Sequence, residues 1–223
     1  MSYYSVIILI IVISAATAQT METFGCWGRA WGALAKRSAE GYSLHVRTAT
    51  LGRFCTFLIA PSLGYLVDNG MTYNTLLLCG AGIYFLTTIS SLFIHVYSAR
   101  CLKVYCKLKK FQPPKAFNFG NDCFDYKILI FCLLSFAITS GGILVANILA
   151  SLFPEQRASL VQLASILTAA GTLLHVFKVD PYLAKKCDGD IHMAYDAVKT
   201  YVLGRLIGSL FLFSGYITLS FTL

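Results

Sequence analysis

The amino-acid sequence predicts an all-α protein: a polytopic integral membrane helical bundle of about six transmembrane helices, with an amphipathic helix after the first. Three observations predict it: the composition, the length of the apolar stretches and the distribution of positive charge. Of the 223 residues, 57% are hydrophobic and only 13% are charged, and the mean hydropathy is +0.69. Soluble domains carry about 25% charged residues, so a membrane protein is the class that fits.

Six apolar stretches are long enough to cross a bilayer. A spanning helix needs about 20 predominantly apolar residues, and these runs are too long and too continuously apolar for barrel strands. No long stretch remains for a soluble part, so residues 1–223 are interpreted as a single integral membrane domain. The predicted spans are Tyr3–Ala18, Leu44–Val67, Asn74–Tyr97, Tyr126–Phe153, Ala158–Phe177 and Tyr201–Leu223.

The first stretch allows two interpretations. Ala16-Thr17-Ala18 has the character of a small-residue cleavage site after an apolar run, as in a secretory signal peptide. The start of the chain, Met1 to Ser5, carries no positively charged side chain, whereas signal peptides begin with one. An uncleaved first span is therefore favoured, and a cleaved signal is the alternative.

Positive charge falls almost entirely on one side of the predicted topology. Fourteen Lys and Arg residues lie in the connections 19–43, 98–127 and 178–200, whereas the other connections hold only Arg157. Because cytoplasmic loops are enriched in Lys and Arg, these three connections are predicted to be cytoplasmic and both termini outside. Topology thus accounts for the net charge of +8, and no nucleic-acid partner is expected. The run Arg100–Lys110 also suits the anionic headgroups of membrane lipids.

Cysteine usage and catalytic motifs give little indication of a metal or cofactor. The sequence has eight cysteines but no CxxC pair, and none lies at a spacing typical of a zinc site. It also has no P-loop, HExxH or nucleophile elbow. No metal, cofactor or directly ATP-driven step is therefore expected.

Arg53 lies in the middle of the second predicted span, which also holds His45 and Arg47. Arginine does not lose its proton, and at the centre of a spanning helix it costs about 2.5–3.5 kcal/mol. No Asp or Glu lies within any predicted span, so an unpaired Arg53 that faces a cavity is favoured over an ion pair. Arg47 is six residues earlier, about 9 Å nearer the cytoplasm. The two arginines are interpreted as a ladder for an anionic group such as phosphate.

The connection from Glu22 to Glu40 has helical periodicity and two different faces. One interpretation is an interfacial amphipathic helix anchored by its tryptophans. The other is a helix whose glycine-lined basic face receives an anionic headgroup. The first face carries Glu22, Gly25, Arg29, Gly32 and Lys36, and the second carries Phe24, Trp27, Trp31 and Leu34.

Polar residues and a proline interrupt other apolar spans. Pro61, near the outer end of the second span, predicts a kink or break because proline removes a helical hydrogen bond. Arg205 in the sixth span either extends towards the cytoplasm or faces a cavity. A polar stripe in the fifth span is typical of a seam between helices. Its residues are Ser165, Thr168, Thr172 and His175.

An ordered set of short motifs runs through the amino-terminal third of the chain. The motifs are Glu22-Thr23, Arg29, Gly32, Arg37, Arg53, Ala60-Pro61, Gly64 and Val67-Asp68. In this order they resemble the amino-terminal part of the Amj family of lipid II flippases. The family's serine before the mid-span arginine is Gly52 in this chain.

The carboxy-terminal third carries a second set at similar spacing. Its motifs are Pro154-Glu155-Gln156-Arg157-Ala158, Gln162-Leu163, Val179-Asp180-Pro181, Asp188 and Arg205-Leu206-Ile207-Gly208. The first of these is similar to the family's Pro-Glu-x-Arg-Ala. Together the two regions of resemblance cover about half of the chain.

The resemblance implies a flippase rather than an enzyme. Its substrate would be lipid II, a polyprenyl diphosphate that carries the peptidoglycan disaccharide-peptide, moved from the inner to the outer leaflet of the bacterial cytoplasmic (inner) membrane. Arginines near the cytoplasm would capture the headgroup and pass it to Arg53 and Arg205. The predicted substrate-binding residues are Glu22, Arg29, Arg37, Arg47, Arg53, Arg157, Asp180 and Arg205.

Two other functions are compatible with the same residues. A membrane-embedded enzyme acting on a lipid phosphate would need a general base, for which Glu22, His45 and Asp180 are the candidates. A non-catalytic scaffold for envelope assembly would not need the charge of Arg53. For a transporter, the energy source stays open between proton coupling at His45 or His175 and the membrane potential.

Overall fold

The computed structural model describes residues 3–111, 124–189 and 191–222, and no strand occurs in these ranges. Six helical segments are long and apolar enough to cross a membrane. The all-α multi-pass fold is therefore confirmed. Lys115 of the basic set and Leu223, the predicted end of the last span, lie outside the described residues.

Two helices, α1 and α10, extend well beyond the apolar stretches that predict them. A 3-10 turn, Pro154–Gln156, precedes α8, and a π-helix, His175–Val179, joins α8 to α9. The α-helices are α1 (Tyr3–Gly25), α2 (Trp27–Leu34), α3 (Ser38–Thr56), α4 (Ile59–Asp68), α5 (Tyr73–Val96), α6 (Ser98–Leu108), α7 (Tyr126–Leu152), α8 (Arg157–Leu174), α9 (Asp180–Cys187) and α10 (Ile191–Thr222).

The expectation that no acid lies within a span is wrong. The first spanning segment runs over Tyr3–Leu34 and includes Glu22, and the fifth runs over Pro154–Cys187 and includes Asp180. A helix continues beyond its apolar run when its polar side chains find partners inside the protein instead of facing lipid. In the first and fifth segments, the apolar stretch is therefore shorter than the helical segment that contains it.

Two hydrophobic clusters form the core, one towards each end of the bundle. The basic-end cluster includes Trp27, Trp31, Leu102, Ile128, Leu183 and Tyr201. The opposite-end cluster includes Ile11, Leu63, Leu76, Tyr84, Leu144 and Tyr216.

Ion pairs between helix ends show how charge is distributed along the bundle. At one end, the Nζ atom of Lys109 lies 2.8 Å from Oε1 of Glu40. There the Nζ atom of Lys186 also lies 3.3 Å from Oδ2 of Asp125. The basic connections thus meet at one end of the bundle, as the charge pattern predicts.

The segment α2 is the predicted amphipathic helix, but both of its faces pack against protein. Trp27 and Trp31 are 0% and 1% exposed, so they belong to the core and not to a membrane interface. On the glycine face, a Cβ atom added to Gly32 would lie 2.7 Å from the Cα atom of Gly41 in α3. The interfacial interpretation is therefore wrong, and the glycines of the other face permit close packing of α2 on α3.

The second spanning segment breaks where proline predicts it. The helix α3 ends at Thr56 and α4 begins at Ile59. Pro61 has no N–H group to donate to the carbonyl of Phe57 four residues earlier, so the regular hydrogen-bond ladder is interrupted there. The break divides the segment into a part that carries Arg53 and a part that packs in the opposite-end cluster.

Candidate functional site

A cavity of about 570 Å³ lies inside the bundle, and members of both hydrophobic clusters form part of its wall beside charged side chains. The helices α1, α2, α3, α4, α5, α7, α8 and α10 contribute side chains, together with the π-helix and the start of α9. Its charged lining residues are Glu22, Arg29, Arg53, Asp180 and Arg205. Five of the eight predicted site residues therefore share one intramembrane cavity.

Arg205 is 3% exposed, and three side chains accept hydrogen bonds from its Nη atoms. Its Nη1 atom donates to Oη of Tyr201 at 2.9 Å, and its Nη2 atom donates to Oε2 of Glu22 at 3.1 Å. The same Nη2 atom donates to Oε1 of Gln19. The ring of Phe136 lies 4.9 Å from the guanidinium carbon. Arg205 therefore faces the cavity wall and does not extend to the cytoplasm, and its charge is balanced by Glu22.

Arg29 is likewise buried and paired. Its Nη2 atom lies 2.5 Å from Oδ1 of Asp180, and its Nε atom donates to Nδ1 of His45 at 2.8 Å. Arginine can only donate, so Nδ1 of His45 accepts and carries no proton. His45 is therefore neutral in this arrangement, with its proton on Nε2 near Sγ of Cys26.

The π-helix brings His175 onto the same side as Asp180. In an α-helix, side chains five residues apart would point about 140° away from each other. Here the backbone N–H of Asp180 bonds to the carbonyl of His175, and Nε2 of His175 lies 3.7 Å from Oδ1 of Asp180. π-Bulges occur frequently at functional sites, and regular helical periodicity does not reveal this pair.

The polar stripe of the fifth span is divided between two environments. Thr168 and Thr172 line the cavity together with His175, whereas Ser165 is exposed and lies outside it. The interpretation as a seam between helices is thus replaced by a cavity wall for three of its four members.

Arg53 differs from the other two cavity arginines. Its side chain is exposed into the cavity. Within the described ranges, it makes no ion pair with an acid and no side-chain hydrogen bond. This agrees with the unpaired role that the sequence predicts for it, although the predicted reason, the absence of acids from the spans, is not correct.

Three arginines lie at successive depths, but they are not the predicted ones. The antiparallel packing of α1 and α2 on α3 sets Gly25 beside His45, and Gly52 beside Ala18. By this alignment Arg29 lies nearest the basic end, Arg205 with its partner Glu22 lies deeper, and Arg53 lies deepest. A ladder of three helices therefore replaces the predicted ladder along one helix.

Arg47 does not belong to this ladder. It is exposed and does not line the cavity. Six residues along an α-helix correspond to a rotation of about 240°, so Arg47 and Arg53 point to different sides of α3. The predicted ladder considered only the depths of Arg47 and Arg53 along the helix. Their directions around the helix axis show that they cannot both face the cavity.

Arg37 and Arg157 also lie outside the cavity. The side chain of Arg37 is 68% exposed, and its Nη1 atom lies 3.5 Å from Oε2 of Glu40. The Nη1 atom of Arg157 lies 3.1 Å from Oδ1 of Asp68, away from the basic end. The structure therefore brings neither residue to the site that the resemblance implies.

Other lining residues escaped prediction. Gln19 lies about one helical turn before Glu22, on the same face of α1. The predicted first span ends at Ala18, so this face was not considered as part of the span. Tyr84 lines the cavity from α5 and donates its hydroxyl to the carbonyl of Ser140 at 2.6 Å. Helical periodicity continued past Ala18 places Gln19 on the same face as Glu22 and so predicts it. No pattern in the sequence distinguishes Tyr84 from the other residues of its apolar helix.

Comparison of the chain with protein-family models, curated proteins and solved structures finds no match. The resemblance to the Amj family therefore stays a prediction from its motifs. Among the described residues, the cavity lining supplies one guanidinium without an acid partner, that of Arg53, two guanidiniums paired with acids, and several hydroxyl groups. Such a lining is suited to an anion, and phosphate groups are preferred partners of arginine.

Proposed function

We propose that the protein is a flippase that moves lipid II from the inner to the outer leaflet of the bacterial cytoplasmic membrane. The observation that carries the proposal is Arg53, a cavity-facing arginine in the middle of a span with no acid partner among the described residues. A charge in this position is costly unless a ligand or water compensates it. A diphosphate supplies the missing anion.

The charge of the cavity favours an anionic substrate. Three arginines, Arg29, Arg53 and Arg205, face two carboxylates, Glu22 and Asp180, so the lining carries one net positive charge when both histidines are neutral. In a low-dielectric setting this excess attracts anions and repels cations more strongly than it would in water. An envelope scaffold has no use for such a charge.

The packing of the outer helices favours a lipid as the substrate. The helix α3 packs on α1 and α2, whereas α8 packs on α7, and both also line the cavity. Both helices expose large apolar side chains: Phe54 of α3 and Ile166 of α8 are 62% and 65% exposed. A headgroup can therefore occupy the cavity between α3 and α8 while its polyprenyl chain stays in the bilayer.

The proposed path runs from the basic end to Arg53. With the basic end in the cytoplasm and both termini outside, the headgroup meets Arg29 first, then Arg205 and then Arg53. The break between α3 and α4 provides a hinge about which the Arg53 part of the segment can tilt. Tilting would expose the site to the outer side without moving the polyprenyl chain out of the lipid.

The experiment uses cells depleted of their resident lipid II flippase, with this chain as the replacement. An added external enzyme cleaves only lipid II that has reached the outer face. We expect wild type to restore cleavage and Arg53→Ala to reduce it by about 100-fold, since an intramembrane charge contact is worth a few kcal/mol. Arg47→Ala is the matched control from the same helix and should retain cleavage within about twofold.

Full cleavage by an inserted and folded Arg53→Ala variant would contradict the proposal. Transport would then not depend on the mid-span charge of Arg53. An inserted, folded wild type that restores no cleavage would favour another polyprenyl-linked lipid, the enzyme or the scaffold.

One observation favours the enzyme as a second candidate. All three candidate bases, Glu22, His45 and Asp180, line the same cavity. Two of them are ion-paired with arginines, and His45 accepts from Arg29, so none is free to take up a proton without breaking a contact. Mass analysis of lipids incubated with the purified protein separates the two: an enzyme creates a new lipid species, whereas a flippase changes only the leaflet.

A further inference from the structure

We infer that His175 is a proton-binding site coupled to the anion site, so that the protein takes up a proton when a diphosphate enters the cavity. This inference rests on the proposed function and names what accompanies the substrate. It follows from the π-helix, from the charge of the cavity and from the difference between the two cavity histidines.

The surroundings of His175 leave its Nε2 atom able to accept a proton. This atom faces Oδ1 of Asp180 at 3.7 Å, and the Nδ1 atom lies 3.4 Å from Oγ of Ser135. The side chain is 18% exposed to the cavity, so water in the cavity can reach the ring. A proton on Nε2 would convert a long contact into an ion pair with Asp180.

His45 cannot take the same role in this arrangement. Its Nδ1 atom already accepts from Nε of Arg29, and its Nε2 atom, which carries the proton, faces Sγ of Cys26. A second proton would have to displace the arginine and create two like charges in contact. His45 is therefore a matched comparison for His175: the same residue type in the same cavity, with its acceptor occupied.

The charged and titratable groups around His175 come from every neighbouring element. Arg29, 2.5 Å from Asp180, and the Arg205 pair resist a further positive charge, while Glu22 and Asp180 favour it. Lys178 on the π-helix itself is exposed. The groups that face the cavity or the histidines are Glu22 from α1, Cys26 beside α2, Arg29 from α2, His45 from α3, Cys132 from α7, Asp180 from α9, and Tyr201 and Arg205 from α10.

Charge balance then links the proton to the anion. The diphosphate of a lipid-linked sugar is a dianion, and the resting cavity carries one net positive charge when both histidines are neutral. Entry of the dianion leaves one negative charge in excess, and protonation of His175 cancels it. The new ion pair of His175 with Asp180 also releases Arg29 to turn towards the substrate.

The proton balance is complete without any other reactant. The proton moves from water in the cavity to Nε2 of His175 when the anion binds, and it returns to water when the anion leaves. The dianion and the proton together carry one negative charge outward, which an inside-negative membrane potential favours.

The test measures binding of a short-chain polyprenyl diphosphate sugar to the purified protein. Calorimetry at pH 7 in two buffers of different ionisation enthalpy gives the number of protons taken up. We expect uptake of a large part of one proton, and binding about 20-fold tighter at pH 6 than at pH 8. In the absence of any proton uptake by wild type, the inference is overturned whatever the variants do.

Two variants assign the proton to its residue. His175→Gln should bind with an affinity that no longer changes between pH 6 and pH 8, whereas His45→Asn, which keeps an acceptor for Arg29, should retain the pH dependence. A folded His175→Gln with the wild-type pH dependence would contradict the assignment. If His175→Gln does not fold, the wild-type proton count still decides whether uptake occurs, and Asp180→Asn should shift the pH dependence to lower pH.

The results also separate this inference from the proposed function. Binding without proton uptake removes the inference and leaves the flippase. Binding with proton uptake but without leaflet transfer at any pH removes the flippase and leaves a proton-linked anion site. Failure of wild type to bind the probe contradicts both.

Discussion

Arg205 and Arg53 both lie deep in the bundle, yet their surroundings are opposite. Arg205 belongs to the closed side, where α1, α5, α7 and α10 pack together, and its guanidinium meets Glu22, Gln19 and Tyr201. Arg53 belongs to the open side, formed by α3 and α8, and has no such partners among the described residues. Removal of the acid from a buried pair would leave the charge of Arg205 uncompensated, whereas the charge of Arg53 depends on a ligand or water for compensation. Arg53 is therefore the arginine of the cavity that is most suited to bind an anion.

The largest effect should come from breaking the closed side. Glu22→Ala leaves Arg205 buried without its acid, and removing one member of a buried pair costs about 3–5 kcal/mol. Thermal unfolding in detergent should show a large loss of stability, and Glu22→Gln should lose less because it keeps an oxygen acceptor. Wild-type stability in Glu22→Ala would show that the pair does not hold the closed side.

The next effect tests the crossing that fixes α3 against α2. A Cβ atom on Gly41 would lie 2.6 Å from the Cα atom of Gly32, a distance that forces the two helices apart. Gly41→Ala should therefore lower the free energy of unfolding by about 1–3 kcal/mol. Gly64→Ala is the control, since nothing lies within 4 Å of the Cβ atom added there. Equal stability of the two variants would contradict the close crossing.

On the open side, removal of the charged side chain should increase the stability of the protein instead of lowering it. Arg53→Leu removes an unpaired charge from mid-span, so we expect a gain of about 1 kcal/mol in stability, less than the full transfer cost because the exposed side chain is accessible to water. The same variant should lose lipid transport, which is the usual exchange of stability for function. A loss of stability in Arg53→Leu would show that Arg53 has a structural partner. It would contradict the contrast between an unpaired Arg53 and a paired Arg205.

The smallest effect is expected at Arg157, whose ion pair with Asp68 is surface-exposed. Arg157→Ala should change the free energy of unfolding by less than about 1 kcal/mol and leave transport within about twofold of wild type. A large loss of transport would return Arg157 to the substrate-binding set that the resemblance implies.

Much of the fold could be predicted because the bilayer restricts the solutions. Long apolar runs must be helices, and the distribution of Lys and Arg sets which connections lie together. The kink before Pro61 was equally predictable, since it depends on a missing N–H group and on nothing outside the helix.

The predictions that are wrong depend on contacts between helices or on a change in helical period. The predicted first span ended at Ala18, although α1 continues through Glu22 because Arg205 lies opposite it, 183 residues away in sequence. The tryptophans of α2 fit a membrane anchor equally well in sequence, because the sequence does not reveal whether an aromatic ring faces lipid or protein. In the structure they are buried in the protein core. The His175–Asp180 pair was hidden because a π-helix changes the period on which the reading depended.

The sequence by itself determined that this protein is a helical membrane bundle, that its basic connections meet at one end, and that an arginine lies in the middle of a span. Hydrophobic transfer and local hydrogen bonding decide these properties, and both act along the chain. Only the tertiary structure decided which arginines are paired, which share the cavity, and that His175 meets Asp180. Those contacts join residues from different helices, and their energies depend on distances that no local pattern contains.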